Sequence, residues 1–154
     1  DLPWQAVMIG DGALMDETRR EIERFGLRER ITLTGWILPE QVHAHFAHSD
    51  ILLMPSLSEG IPMVGLQALL SGHAIVASRV GGLIDLVEQG GNGFLHEPAD
   101  LDGFVASLRS LLSDEGLLLR ARNASLRIAR QFDLVRIVDR YENIFINIVG
   151  KRHI

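Results

Sequence analysis

Cysteine is absent from the 154 residues. That removes a disulfide framework, a thiol nucleophile and any thiolate metal site. Long apolar runs are missing too: the longest, such as Ile51–Met54, are four residues, far short of the ~20 that a membrane-spanning helix needs. The start, Asp1-Leu2-Pro3-Trp4, lacks the basic opening and apolar stretch of a secretory signal. A cytoplasmic location is therefore the expectation. No block of like charge occurs, and the formal net charge is −5, so the basic face of a nucleic-acid-binding protein is not expected. There is no initiating Met, which leads us to expect an excised piece of a longer protein.

What is present is ordinary for a soluble α/β chain: 47% apolar and 23% charged residues. The length suits a single domain over 1–154 with a sizeable core. Short apolar runs alternate with helical patterns. Strands are expected at 5–10, 30–35, 50–55, 73–78 and 92–98. Helical spacing follows in Leu14, Thr18, Ile22 and Phe25, in 39–49 with Pro39 in the first turn, and from Pro62 onward. A brief helix follows Val80-Gly81-Gly82. The stripe Leu101, Phe104, Val105, Leu108, Leu111 and Leu112 predicts a helix capped by Asp100. Another is expected over 115–130. Ile137, Tyr141, Ile144 and Ile148 give a last amphipathic stripe. Strand and helix in this rhythm predict a Rossmann-like parallel β-sheet with helices on both faces.

In such sheets ligands sit beyond the carboxyl ends of the strands. Three loops belong there, Gly10-Asp11-Gly12, Gly35-Trp36, and Ser56 to Pro62, and Val80-Gly81-Gly82 after the fourth strand is a candidate to join them. The first is a poor dinucleotide fingerprint, since Met15 stands at its third glycine position, and a plain tight turn explains it as well. The third carries more chemistry. Gly60 permits positive φ and close ligand approach, and Pro62 suits a helix start. The amides of Met63 and Val64 then open the helix as an anion site. An acid there repels phosphate, so Glu59 fits better as an acceptor for sugar hydroxyls. A simple helix-terminal charge is the competing account of Glu59.

His43 and His45 point to opposite sides of a helix, and His45 with His48 alone makes a poor metal site. Ser56 lacks the Gly-x-Ser-x-Gly context of a nucleophile elbow. The last amphipathic stripe is not basic enough on its polar face for a membrane-surface helix.

The run "PSLSEGIPMVGLQALLSGHAIVASRVGGLIDLVEQGGNGFL" resembles the donor-binding half of GT-B glycosyltransferases of family 4 (glycosyl transferases group 1). "VMIGDG" and "ITLTGWI" match the family's earlier strands in order. The resemblance covers essentially the whole chain. It implies a C-terminal donor-binding domain of a retaining glycosyltransferase. The substrate would be a nucleotide diphosphate sugar, used without a metal or other cofactor. The acceptor would be bound by an N-terminal domain of the same longer protein, to which any membrane attachment would also belong. Carried over by position, Glu59 is the candidate catalytic side chain and holds the donor sugar's hydroxyls. Gly60, Ile61, Pro62, Met63 and Val64 contact sugar and diphosphate. Gly10 and Gly12 flank the phosphates, and Trp36 and Ile37 lie by the base. The family's second glutamate, on the ribose, is Gln67 here, which keeps one acceptor and loses the charged grip. The family's basic pair at the diphosphate has no counterpart in these residues. Two other readings follow: a catalytically degenerate binding or scaffold module, favoured by Gln67, and a sugar-nucleotide epimerase domain, whose expected acid and histidine set is not evident.

Overall fold

A computed structural model describes residues 2–150, so Asp1 and residues 151–154 of the expected domain lie outside the described residues. Among the described residues, strands and helices alternate as far as α5 and two more helices follow: β1 (Ala6–Ile9), α1 (Met15–Arg24), β2 (Ile31–Gly35), α2 (Pro39–Ala47), β3 (Ile51–Met54), α3 (Met63–Leu70), β4 (Ala74–Ser78), α4 (Leu83–Leu86), β5 (Gly93–His96), α5 (Leu101–Ser113), α6 (Glu115–Ala129) and α7 (Leu134–Gly150). All strand pairing is parallel, as the alternation of strand and helix requires, because parallel neighbours need a crossover between them.

The strands do not form one continuous sheet. β1 pairs with β2, and β3, β4 and β5 pair in that order as a second sheet. The core belongs to the second. Every residue of β4 is buried, and its alternating side chains feed two faces. Ile75 and Ala77 pack with Leu69, Leu83, Leu86 and Ile128. Ala74 and Val76 pack with Phe104, Leu111 and Ala121 on the other side. Each of the large side chains among these contributes about 1.5–3 kcal/mol on burial.

Two buried polar side chains of this core, Asn92 and Ser125, are tied to backbone. Asn92 donates to the Leu86 carbonyl at 3.0 Å and to Ser125 Oγ at 3.1 Å, and its Oδ1 accepts the Glu88 amide at 2.7 Å. Ser125 in turn donates to the His73 carbonyl, so one side-chain network joins α6 to the flanks of β4 and β5. Gly93 sits where a Cβ would come within 1.8 Å of the Ile75 carbonyl oxygen, which leaves room for hydrogen only.

Helix ends follow the capping residues. Asp100 accepts the Gly103 amide at 3.0 Å and Asp114 accepts the Leu117 amide at 2.9 Å, each satisfying one orphan donor of a first turn. Pro39 opens α2 at its first residue. Pro62 is placed one position differently from the expectation: its ψ of 125° is extended, so it caps α3 and the helix begins at Met63. α7 packs on the 3₁₀ turn Arg130–Phe132 at its start, but its apolar residues Leu134, Val138, Tyr141, Phe145 and Ile148 are exposed. No helix of the described residues is long and apolar enough to cross a membrane.

Candidate functional site

The loop between β3 and α3 lies at the carboxyl end of its strand and is built from both sides. Ser56 Oγ donates to Glu59 Oε1 at 2.8 Å, holding a half-buried carboxylate while leaving its other oxygen unspent. The sequence reading set Ser56 aside as a nucleophile. Its position three residues before Glu59 is the signal that it positions the acid.

Across from this loop stands the turn after β4. The Gly82 amide donates to the Gly60 carbonyl at 2.7 Å. A Cβ on Gly81 would lie 1.7 Å from the Glu59 carbonyl oxygen, and one on Gly82 would lie 2.6 Å from both the Gly60 oxygen and the Ile61 side chain. Glycine is required at 81 and 82 because main chain meets main chain, and at 81 also because φ is +47°. Gly60 does not use the positive φ open to a glycine: the left-handed glycine of this pair of loops is Gly81. Gly60 instead faces open space, with nothing within 4 Å of a Cβ built there.

Next in the chain, α3 starts with unspent donors. The Gly65 and Leu66 amides both reach the Pro62 carbonyl, at 3.0 and 3.3 Å. Among the described residues, neither the Met63 nor the Val64 amide has a partner, and no side chain caps this end. Two free N–H groups at a helix start, with no acid in the first turn, form a site for an anion. Glu59 sits just outside that turn. The arrangement therefore offers donors at one end and a carboxylate acceptor at the other.

The remaining candidate residues are placed in two other locations. Gly10 and Gly35 meet where β1 and β2 end: the Gly10 amide donates to the Gly35 carbonyl at 3.0 Å, with φ of +137° and +67° at the two glycines. Gly12 donates to Asp11 Oδ1 at 2.7 Å. Gly10 and Gly12 line a groove of about 240 Å³ with Met8, Met15 and Leu33. Trp36 is exposed and Ile37 half-buried just past the end of β2. Gln67 is half-buried on α3 and lines a separate groove of about 400 Å³ with Met63, Leu70, Leu126, Arg130 and Phe132. All the loops sit at carboxyl ends of parallel strands. Direct contact joins the Glu59 loop to Gly81–Gly82, whereas Gly10, Gly12 and Trp36 belong to the other sheet.

Two histidines call for separate treatment. His96 Nε2 is 2.7 Å from Ser107 Oγ and its Nδ1 is 3.4 Å from Asp100, an array that looks like a hydrolytic triad. Ser107 is buried in α5, it lines neither groove, and Asp100 is already committed to a helix cap. The cluster is structural. His73 is buried with neither ring nitrogen bonded, and its ring meets Phe46 edge-on at 4.9 Å. Burial holds its pKa below the usual 6.5, with the Ala68 carbonyl pulling the other way.

Comparison with known proteins places these features in a wider set. The family model for glycosyl transferases group 1 matches residues 1–114. A UDP-Gal:alpha-D-GlcNAc-diphosphoundecaprenol alpha-1,3-galactosyltransferase of Escherichia coli is 32% identical over 93% of this chain and 37% of its own length. The Anabaena protein Alr3699/HepE, solved with UDP and also with UDP-glucose, superposes with a TM-score of 0.81 in the UDP complex. It is 27% identical over 92% of this chain and 40% of that one. The C-terminal domain of the Francisella tularensis group 1 protein LpcC superposes with a TM-score of 0.75 at 25% identity, over 83% of this chain and 69% of that chain. The chain thus spans about two fifths of the full-length relatives.

Proposed function

The chain belongs to the group 1 glycosyltransferases, and from that premise we propose that it is the donor-binding part of a retaining enzyme. The donor is a nucleotide diphosphate sugar. The free Met63 and Val64 amides take the diphosphate, and Glu59, held by Ser56, takes hydroxyls of the sugar. Gly60, Ile61 and Pro62 line the path between them. Gly10 and Gly12 flank the phosphates, and Trp36 and Ile37 lie toward the base. The observation that carries this reading is the pairing of two partnerless helix-start amides with an adjacent positioned carboxylate. A uridine diphosphate sugar is the donor class to test first, because the Anabaena protein is solved with UDP and UDP-glucose.

Chemically, the bond from the sugar's anomeric carbon to the leaving phosphate oxygen breaks. The acceptor hydroxyl attacks from the same face, and its proton passes to the departing phosphate. The amides stabilise the negative charge that grows on the diphosphate, the kind of preorganised electrostatic contribution that dominates many enzymes. No metal is needed for that role in this reading. The acceptor is bound by a further domain of the longer protein.

The test is steady-state kinetics of the full-length protein with UDP-glucose and Glu59→Gln. Losing a charge-assisted hydrogen bond to a sugar hydroxyl lowers kcat/KM about 10- to 100-fold. An unchanged kcat/KM overturns the role of Glu59. Gln67 favours a second reading, a donor-binding module with weakened turnover. Restoring Gln67→Glu distinguishes the two: a large gain in transfer marks a degenerate site, little change a working one.

A further inference from the structure

His73 stands where α3 gives way to β4, and only 1% of it is exposed. Its main chain is tied down: the amide donates to the Ala68 carbonyl at 2.9 Å, and the carbonyl accepts Ser125 Oγ. The imidazole is not, since neither ring nitrogen has a hydrogen-bond partner. A buried donor and acceptor left unpaired are a cost to the fold, and an apolar side chain of similar size avoids it. The core thus holds a titratable ring whose nitrogens bond to nothing around them.

That ring lies on the seam between two parts of the molecule. The β1–β2 sheet and the β3–β4–β5 sheet share no strand pairing. What meets His73 from the first part is Phe46 of α2, edge-on at 4.9 Å and 86°. Beside it the link from α2 to β3 is held at Asp50. Its carbonyl accepts the Ala74 amide at 3.0 Å, and its carboxylate pairs with Arg122. At its other end α2 holds the loop that follows β2: Gln41 Oε1 accepts the amide of Leu38, the residue after Ile37, at 2.9 Å. A shift of α2 away from His73 therefore carries Trp36 and Ile37 with it.

Protonation changes what this contact can bear. The neutral ring packs against Phe46 as an apolar surface. An imidazolium presents two N–H donors and a full charge to a space that offers no bonded acceptor. The charged groups nearby do not offset this. Arg122 of α6 repels the cation, and Asp50, just before β3, attracts it but is engaged by Arg122. The Ala68 carbonyl of α3 and the Phe46 carbonyl of α2 favour the charged ring without a hydrogen bond to it. On α2, His43 and His48 are exposed and His45 is half-buried, and none of them brings a negative charge. Burial outweighs the favourable groups and holds the ring's pKa below 6.5. A state in which α2 has moved off and water reaches the ring takes the proton more readily. Acid therefore draws the molecule toward that state.

We propose that His73 and Phe46 form an acid-operated latch: a proton taken up by the imidazole releases α2 from the start of β4 and draws Trp36 and Ile37 away from Glu59, Met63 and Val64. The effect on donor binding rests on the proposed donor site; the release of α2 does not.

Amide hydrogen exchange of the ligand-free full-length protein at pH 7.5, 6.5 and 5.5, corrected for the intrinsic pH dependence of exchange, tests the latch. The α2 amides are expected to lose protection below pH 6.5 by up to about tenfold per pH unit, the limit set by one proton, while α6 amides keep theirs. The ring resonances of His73 are expected to titrate over the same range. In His73→Phe the loss at α2 is expected to vanish. UDP-glucose titrations at the same three pH values are expected to show Kd rising in parallel in the native protein and not in the variant. Protection of α2 that ignores pH overturns the proposal. So does a loss that persists in His73→Phe, or one that occurs while the His73 resonances stay still, a result that needs no variant. A Kd that ignores pH while α2 opens overturns the link to the donor. If UDP-glucose binds at no pH, the donor reading fails, and exchange at α2 still decides the latch.

Discussion

β1 and β4 read almost alike, Ala-Val-Met-Ile and Ala-Ile-Val-Ala-Ser, yet they occupy opposite environments. Val76 in β4 is fully buried, while Val7 in β1 is 40% exposed. The contrast extends to the segments around them. Among the described residues, 2–50 bury one side chain, Ile22, whereas β4 alone buries five. β4 has a strand on each edge and helices on each face, and β1 has a single neighbouring strand. Burial is a property of neighbours more than of the strand itself. Where residues 2–50 are fastened to the second region, they use specific contacts: Phe46 against the His73 ring, and Asp50 paired with Arg122, which also holds the Gly72 carbonyl at 2.9 Å.

The contrast is open to substitution. The largest effect is expected from Gly93→Ala, which drives a methyl group into the Ile75 carbonyl. A loss of about 4 kcal/mol or more, seen as loss of cooperative thermal unfolding, is the expected outcome. Next comes a matched pair. Leu86→Ala removes a fully buried side chain between α3 and β4 and costs about 2–5 kcal/mol in denaturant unfolding. Val7→Ala in the same chain costs under about 0.5 kcal/mol. Equal costs for the two break the comparison. A Val7→Ala cost that rises in the full-length protein sharpens it, since it means that β1 has gained a neighbour there.

The pH dependence of His73 tests the junction between the regions. Its folded pKa is lowered by burial from 6.5, so the unfolded chain binds the proton more readily than the folded one. Its contribution to stability is therefore fully present above 6.5 and is lost as pH falls from there through the lowered folded value. His73→Phe is expected to flatten that part of the stability profile, read by denaturant unfolding at pH 7.5, 6.5 and 5.5. An unchanged profile contradicts a buried neutral imidazole at this seam. The smallest stability effect is expected for Gly60→Ala, within about 0.5 kcal/mol, because open space surrounds that position. Weakened UDP-glucose binding by this otherwise stable variant is expected if the space belongs to the ligand.

The elements themselves were legible in the sequence. Each expected strand lies within two residues of its place, because glycine, proline and polar turns punctuate short apolar runs at Gly10, Gly35 and Pro55. Asp100 and Pro39 announced their helix starts by local chemistry. The division into two sheets was not legible, because the pattern of a strand records apolarity and says nothing of which edges are filled. The same limit left the α7 stripe open to two readings, core packing or an exposed patch, and the structure exposes it. At the candidate site, Glu59 and the amides of Met63 and Val64 were visible from residue type and helix position. The close approach of Gly81 to Glu59, the absence of a left-handed turn at Gly60, and the Ser56 bond to Glu59 depend on how two loops meet in space.

The central claim is that a diphosphate rests on the start of α3 while Glu59 grips the sugar. Amide chemical shifts of the full-length protein during titration with UDP-glucose test it most directly. The account expects the largest downfield shifts at Met63 and Val64, shifts at Gly60 and Ile61 beside them, and clear weakening of binding in Glu59→Gln. Saturable binding that leaves Met63 and Val64 unmoved and shifts residues elsewhere would contradict it.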